Sequence, residues 1–219
     1  MSSGRLENAN PATPRLYLVT PAVEDPRALT AALANAFGAA DFAAVLLRLA
    51  PSDERTLINR IKSIAPAVQK AEAALILDGN PGLVAKSGAD GAHMTGIDDF
   101  MDAVDHLKPD WIAGAGGLLT RHDAMLAAEN NTDYVMFGEP GERGHRQPFD
   151  DILDRVTWWA EVFQLPCVAY AARLEEIAPL AKAGADFIAI GDFVFSDPSR
   201  IAANVTAATQ QLAKTDAIA

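Results

Sequence analysis

Arg48 interrupts an apolar run, VLLRLA, where a guanidinium is costly unless it meets an anion. Two partners suit it: a bound anionic ligand, or Asp78, which ends the next apolar run, AALILD at 73–78. Asp78 and Asp98 together suit a divalent cation, because Mg2+ commonly takes one or two carboxylates and completes its shell with substrate phosphates. Asp98, in GIDDF, equally suits a helix N-cap, which needs no metal. His93, within GAHMTG at 91–96, reads as a buried layer residue rather than a base, placed where it can also touch a substrate.

Glycines accompany these groups. Gly114 and Gly116, in GAGG at 114–117, bring backbone N–H groups close to a ligand or simply make a tight turn. Gly138 opens EPGERGHRQP at 139–148, a locally basic loop carrying Glu139, Arg143, His145 and Arg146 that can fold over an anionic substrate or remain solvated. Gly191 and Asp192 close a last apolar segment, FIAIGDFVF at 187–195. Trp158, Trp159 and Phe163 share one helical pattern and are expected to pack against the interior or a partner subunit.

The chain has 219 residues and a net charge of −11, with 29 acidic against 18 basic side chains and no basic run, which argues against a nucleic-acid partner. Small anionic substrates stay open, since a few local cations outweigh global charge inside a cleft. No apolar run approaches a membrane span, so no membrane partner is expected. The N-terminal MSSGRLENANPATPR has no apolar core and reads as a loose tail, and the single Cys167 fits a reducing compartment. A cytoplasmic location is expected.

The elements that must position these groups alternate along the chain. Apolar runs at 16–20, 42–49, 73–78, 91–96, 111–117, 134–140, 166–172 and 187–195 are each followed by a helical pattern. Asp25 with Pro26, and Ser52, mark the first two helix starts. Near-continuous apolar strands fit a parallel sheet buried on both faces. Eight such units predict a single (β/α)8 TIM barrel over 15–214, with tails at 1–14 and 215–219. AKSGADGAHMTG at 85–96 and AKAGADFIAIGD at 181–192 then fall half a barrel apart, and read as a helix-to-strand turn on the stability face. In such a barrel Arg48, Asp78, His93, Asp98, Gly138 and Asp192 all reach the C-terminal strand ends, where barrels do chemistry.

LYLVT, VLLRLA and LILDGNPGLVAKSGADGAHMTGIDD, with GAGGLLTRHDAMLAAENNTDYVMFGEP and AGADFIAIGDFVF, resemble the thiamine phosphate synthase family and its TenI-like relatives in the right order. GADGAHM, separated by three residues from Asp98, is the most specific stretch. The resemblance implies coupling of hydroxymethylpyrimidine diphosphate to thiazole phosphate, with Mg2+ and release of pyrophosphate. It implies small phosphorylated substrates, a metal on Asp98, Arg48 as the arginine of the strand-two motif, and Gly191 and Asp192 beside the thiazole phosphate. A homodimer is also suggested. The motif's Gln and Lys are Leu46 and Ala50 here, its Asn-Asp pair reads Asp78-Gly79, and its Gly-Gly after strand seven is Ala171-Ala172. Arg143 or Arg146 is then expected to replace a phosphate-loop lysine. Two other readings remain open: a paralogue that binds without turnover, and an isomerase of a phosphorylated metabolite using His93 or Glu139 as base.

Overall fold

The structure, a computed structural model, describes residues 13–141 and 144–216. All but two residues of the expected N-terminal tail lie outside them, as do Arg143 and residues 217–219. Among the described residues eight strands form: β1 Arg15–Val19, β2 Phe42–Leu47, β3 Ala74–Asp78, β4 Gly91–Thr95, β5 Ile112–Gly116, β6 Tyr134–Phe137, β7 Cys167–Ala171 and β8 Phe187–Ile190. They are parallel and close in sequence order, β8 pairing with β1, which is the expected single (β/α)8 barrel. Between and after them run helices α1 Pro26–Phe37, α2 Glu54–Lys70, α3 Val84–Ser87, α4 Ile97–Leu107, α5 Arg121–Glu129, α6 Phe149–Val162, α7 Ile177–Lys182, α8 Asp192–Phe195 and α9 Ile201–Asp216.

Strand alternation splits the apolar residues into two cores. Leu16 and Leu18, Val45 and Leu47, and Leu75 and Leu77 point outward under the helices. Tyr17, Leu46, Ile76, Tyr134, Met136, Val168 and Tyr170 point inward and fill the barrel. Trp159 is fully buried and stacks on Phe163 at 4.2 Å between ring centroids, so this aromatic group serves the outer core.

Helix starts follow short polar side chains with one correction. Asp25 caps α1 by accepting from Arg27 N at 2.9 Å. The cap of α2 is Asp53 rather than Ser52, accepting from Thr56 N at 3.0 Å. A carboxylate one residue closer to the helix reaches its first free N–H groups. A second correction concerns FIAIGDFVF, expected as one strand. It stops at Ile190, and 192–195 is helical. Gly191 takes φ −155° and ψ −83°, which leaves strand geometry and turns the chain into α8, whose Val194 enters the core. Likewise the sixth strand stops at Phe137, because Gly138 turns at φ +89°.

The repeated phrase has a structural explanation. Gly88 and Gly184 end helices at φ +78° and +97°, conformations glycine adopts without a Cβ penalty. The following Asp then ties the preceding odd strand: Asp90 accepts from Leu75 N at 2.7 Å, and Asp186 from Cys167 N at 2.8 Å. Asp133, before β6, accepts from Ala113 N at 2.7 Å in the same way. Each carboxylate satisfies an N–H at the bottom of the barrel that the staggered ladder leaves over. Asp186→Ala, which orphans the Cys167 N–H, is expected to lower stability by about 1–3 kcal/mol in urea unfolding. An unchanged unfolding midpoint would contradict this role.

Candidate functional site

At the C-terminal ends of the strands the barrel opens into a cavity of about 580 Å³. Its lining includes Leu46, Arg48, Asp78, His93, Asp99, Met136, Glu139, Gly141 and Asp192, contributed by residues at or just beyond β2, β3, β4, β6 and β8.

Arg48 follows β2 directly, and its backbone N–H donates to the hydroxyl of buried Thr20 at 3.1 Å. Its Nε donates to Asp78 Oδ2 at 3.0 Å, both side chains being a little over a quarter exposed. The expected ion pair therefore forms. It aims the guanidinium across the mouth and leaves both Nη groups without a protein partner among the described residues.

Beneath lies a polar column that sequence reading did not anticipate. Tyr17 Oη and Tyr134 Oη are 2.9 Å apart, and Tyr134 Oη is 3.1 Å from His93 Nδ1. The imidazole stacks on the Tyr134 ring at 5.6 Å and 13°. Burial holds the His93 pKa down to about 4, so the ring is neutral at ordinary pH. The same burial pushes both tyrosine hydroxyls well above their usual value. Alternating positions on distant strands carry these three residues, which is why no local motif announces them.

Glu139 leaves the Gly138 turn and reaches back to β5, where Gly117 N–H donates to its Oε1. A side chain at Gly116 would collide with that carboxylate, and its Cβ would lie 2.5 Å from His93 Nε2. Only glycine leaves room for both groups. Burial, opposed by the Gly117 N–H, pushes the Glu139 pKa up to about 7. Gly114, expected to present an N–H to the mouth, instead makes space for the Tyr134 ring. Gly117, not Gly114 or Gly116, presents the free N–H, and Glu139 takes it.

The remaining predicted residues are distributed as follows. Asp98 and Asp99 both sit in the first turn of α4, whose N-cap is Gly96, so Asp98 is not the cap. Both are exposed, and Asp99 rather than Asp98 lines the cavity. Asp192 also lines it, above the buried Tyr170 hydroxyl, which has no hydrogen-bond partner among the described residues. Gly191 packs against Val19 of β1. Arg146 is turned away from the cavity. Its guanidinium donates to Gly138 O at 2.6 Å, Tyr170 O at 2.9 Å and both oxygens of Glu176, at 3.1 and 2.8 Å. Glu176 is 3% exposed and also accepts from Ala172 N, so Arg146 clamps the loop after β6 onto the start of α7. Arg143 lies outside the described residues. Among them, no three His, Cys, Asp or Glu side chains converge to hold a metal by themselves. Among the described residues no helix is long and apolar enough to cross a membrane.

Residues 16–194 match the thiamine monophosphate synthase family. The chain is 38% identical to the thiamine-phosphate synthase of Rhodospirillum centenum over 194 residues, covering 87% of this chain and 94% of that one. It is 34% identical to the thiamine-phosphate synthase of Hyphomonas neptunium, covering 88% and 91%. Among solved structures, a thiamine phosphate pyrophosphorylase from Pyrococcus furiosus superposes with a TM-score of 0.73 at 19% identity, covering 92% and 96%. The 3-hexulose-6-phosphate synthase of Salmonella typhimurium superposes at 0.71 with 14% identity, covering 91% and 99%, a likeness of fold alone.

His93 and Glu139 give stability opposite pH dependences. Unfolded histidine takes a proton near 6.5 but His93 only near 4, so acidification across that window favours unfolding. Glu139 takes a proton near 7 and an unfolded glutamate near 4.5, so acidification across that window favours folding. The two contributions offset in the parent protein. Between pH 7 and 4.5, His93→Gln is expected to lose less stability than the parent and Glu139→Gln to lose more, each by about 1–2 kcal/mol in urea titrations. Parallel pH profiles for all three proteins would contradict the opposite titration shifts of the two groups.

Proposed function

The chain belongs to the thiamine monophosphate synthase family, and we propose that it couples hydroxymethylpyrimidine diphosphate to thiazole phosphate in the mouth of the barrel, forming thiamine phosphate and pyrophosphate. The observation that carries this reading is Arg48: a guanidinium fixed by Asp78, on a backbone tied to Thr20, with two Nη groups turned to an open cavity, is built to take phosphate oxygens. Arg48 binds the diphosphate and holds its charge as the bond from the methylene carbon to oxygen breaks. The electron pair leaves with pyrophosphate, and the thiazole nitrogen then bonds to the carbon.

Asp78, Asp99, Glu139 and Asp192 share the cavity with the single cation Arg48 among its described lining residues. A diphosphate would be repelled there unless a divalent cation intervened. Oxygen donors suit hard Mg2+, and a site short of three protein ligands suits an ion that takes the rest from substrate and water. Asp78 and the Asp98–Asp99 pair of α4 are the groups that would hold it. Held there, Mg2+ would supply positive charge to the diphosphate and to the leaving pyrophosphate. His93, neutral down to about pH 4, is a weak base, and nothing in its setting favours an isomerase.

The test is a thiochrome assay with both substrates and Mg2+. Thiamine phosphate is expected from the parent protein, and Arg48→Ala is expected to lower kcat/KM at least about 100-fold, the order of a charge-assisted contact made to the leaving group. Asp98→Asn with Asp99→Asn is expected to raise the Mg2+ requirement. A folded parent protein that forms no product at high enzyme concentration would overturn the reading.

A further inference from the structure

We propose that Glu139 is the residue that reads the amino-bearing edge of the pyrimidine and stabilises the positive charge that develops on that ring. This rests on the function proposed above. The carboxylate is fixed, not mobile: Gly117 N–H holds Oε1, and the missing side chain at Gly116 sets how closely it approaches β5. Oε2 makes no hydrogen bond among the described residues and belongs to a residue lining the mouth. Leu46, Met136 and His93, whose ring stacks on Tyr134, line the same cavity and give it a largely apolar, uncharged floor. An aromatic ring bearing N–H donors is the ligand that satisfies an apolar floor and a free carboxylate oxygen together.

The charges around Glu139 leave it this role. Arg48, on the element after β2, is already engaged by Asp78 at the end of β3. His93 on β4 and Tyr134 on β6 are neutral, and Arg155 on α6 donates to the carbonyls of Leu118 and Leu119. Glu139 is therefore a mouth carboxylate beside that floor which makes no ion pair among the described residues. When the carbon–oxygen bond breaks, its electron pair leaves with pyrophosphate, and the ring and its amino nitrogen share the positive charge. An ionised Glu139 accepting the amino N–H stabilises that charge where it develops, and the thiazole nitrogen's electron pair then removes it by forming the carbon–nitrogen bond. No proton is consumed, and Glu139 ends as it began. Only the ionised form serves, so kcat rises with pH through the Glu139 titration, near 7.

The experiment uses two readouts on the full chain and Glu139→Gln, which keeps the Gly117 contact and loses the charge. The first is calorimetric binding of hydroxymethylpyrimidine, the unphosphorylated alcohol, against the same alcohol without its amino group. The parent is expected to prefer the amino compound at least about tenfold, and Glu139→Gln to lose that preference. The second is turnover: kcat is expected to fall 10- to 100-fold in Glu139→Gln, with its pH rise near 7 lost and KM for thiazole phosphate unchanged. If Glu139→Gln fails to fold, Glu139→Asp, which withdraws the charge from the ring, takes its place in both. Discrimination lost in the variant, even if the parent makes no thiamine phosphate, supports the recognition role while overturning the proposed function. Turnover in the parent with discrimination and pH profile unchanged in the variant overturns the role of Glu139 and leaves that function standing. A parent protein that binds neither alcohol also overturns it.

Discussion

A closed eight-stranded barrel has an interior that its own side chains must fill, and a polar atom buried there without a partner costs stability. In this chain that constraint is met by Tyr17, Tyr134 and His93, linked hydroxyl to hydroxyl to imidazole at 2.9 and 3.1 Å. Leaving one of these groups unpaired would cost about 1–3 kcal/mol, so the three strands that carry them are held in a fixed register. Gly114 admits the Tyr134 ring and Gly116 admits His93 with Glu139. The column thus determines which residues flank it, and its upper end becomes the floor of the mouth.

Electrostatics at the mouth follow from that floor. A neutral histidine and buried phenols form a weakly polar base, above which charged groups interact more strongly than in water. Arg48 and Asp78 pair across neighbouring strand ends, while Glu139 is anchored by a backbone N–H rather than by a cation. Acidic groups outnumber the cation among the described lining residues, which is the charge balance on which the proposed divalent ion rests. Arg146, by contrast, stabilises the loop that positions Glu139, through Glu176 and the carbonyls of Gly138 and Tyr170.

The barrel was legible because its units declare themselves locally: an apolar run in each, a cap such as Asp25 on some helices, and a glycine such as Gly88 at some helix ends. Arg48 with Asp78 was legible too, since a charge in an apolar strand demands a partner and neighbouring strands supply it. What was not legible depends on distance in sequence. Glu139 gains its role from Gly117, 22 residues earlier, and Arg146 from Glu176, 30 residues later. FIAIGDFVF reads as one strand because its apolar run continues past Gly191, whose backbone turn leaves no compositional trace. Asp98 and Asp99 are adjacent in a helix, and composition alone does not tell which of them faces the cavity.

The most direct test is a crystal structure of the protein with Mg2+, inorganic pyrophosphate and hydroxymethylpyrimidine. The account predicts pyrophosphate against the Arg48 guanidinium, and the pyrimidine beside His93 with its amino nitrogen hydrogen-bonded to Glu139. A pyrimidine seated in the mouth with its amino group turned from Glu139, or a pyrophosphate that does not touch Arg48, would contradict it.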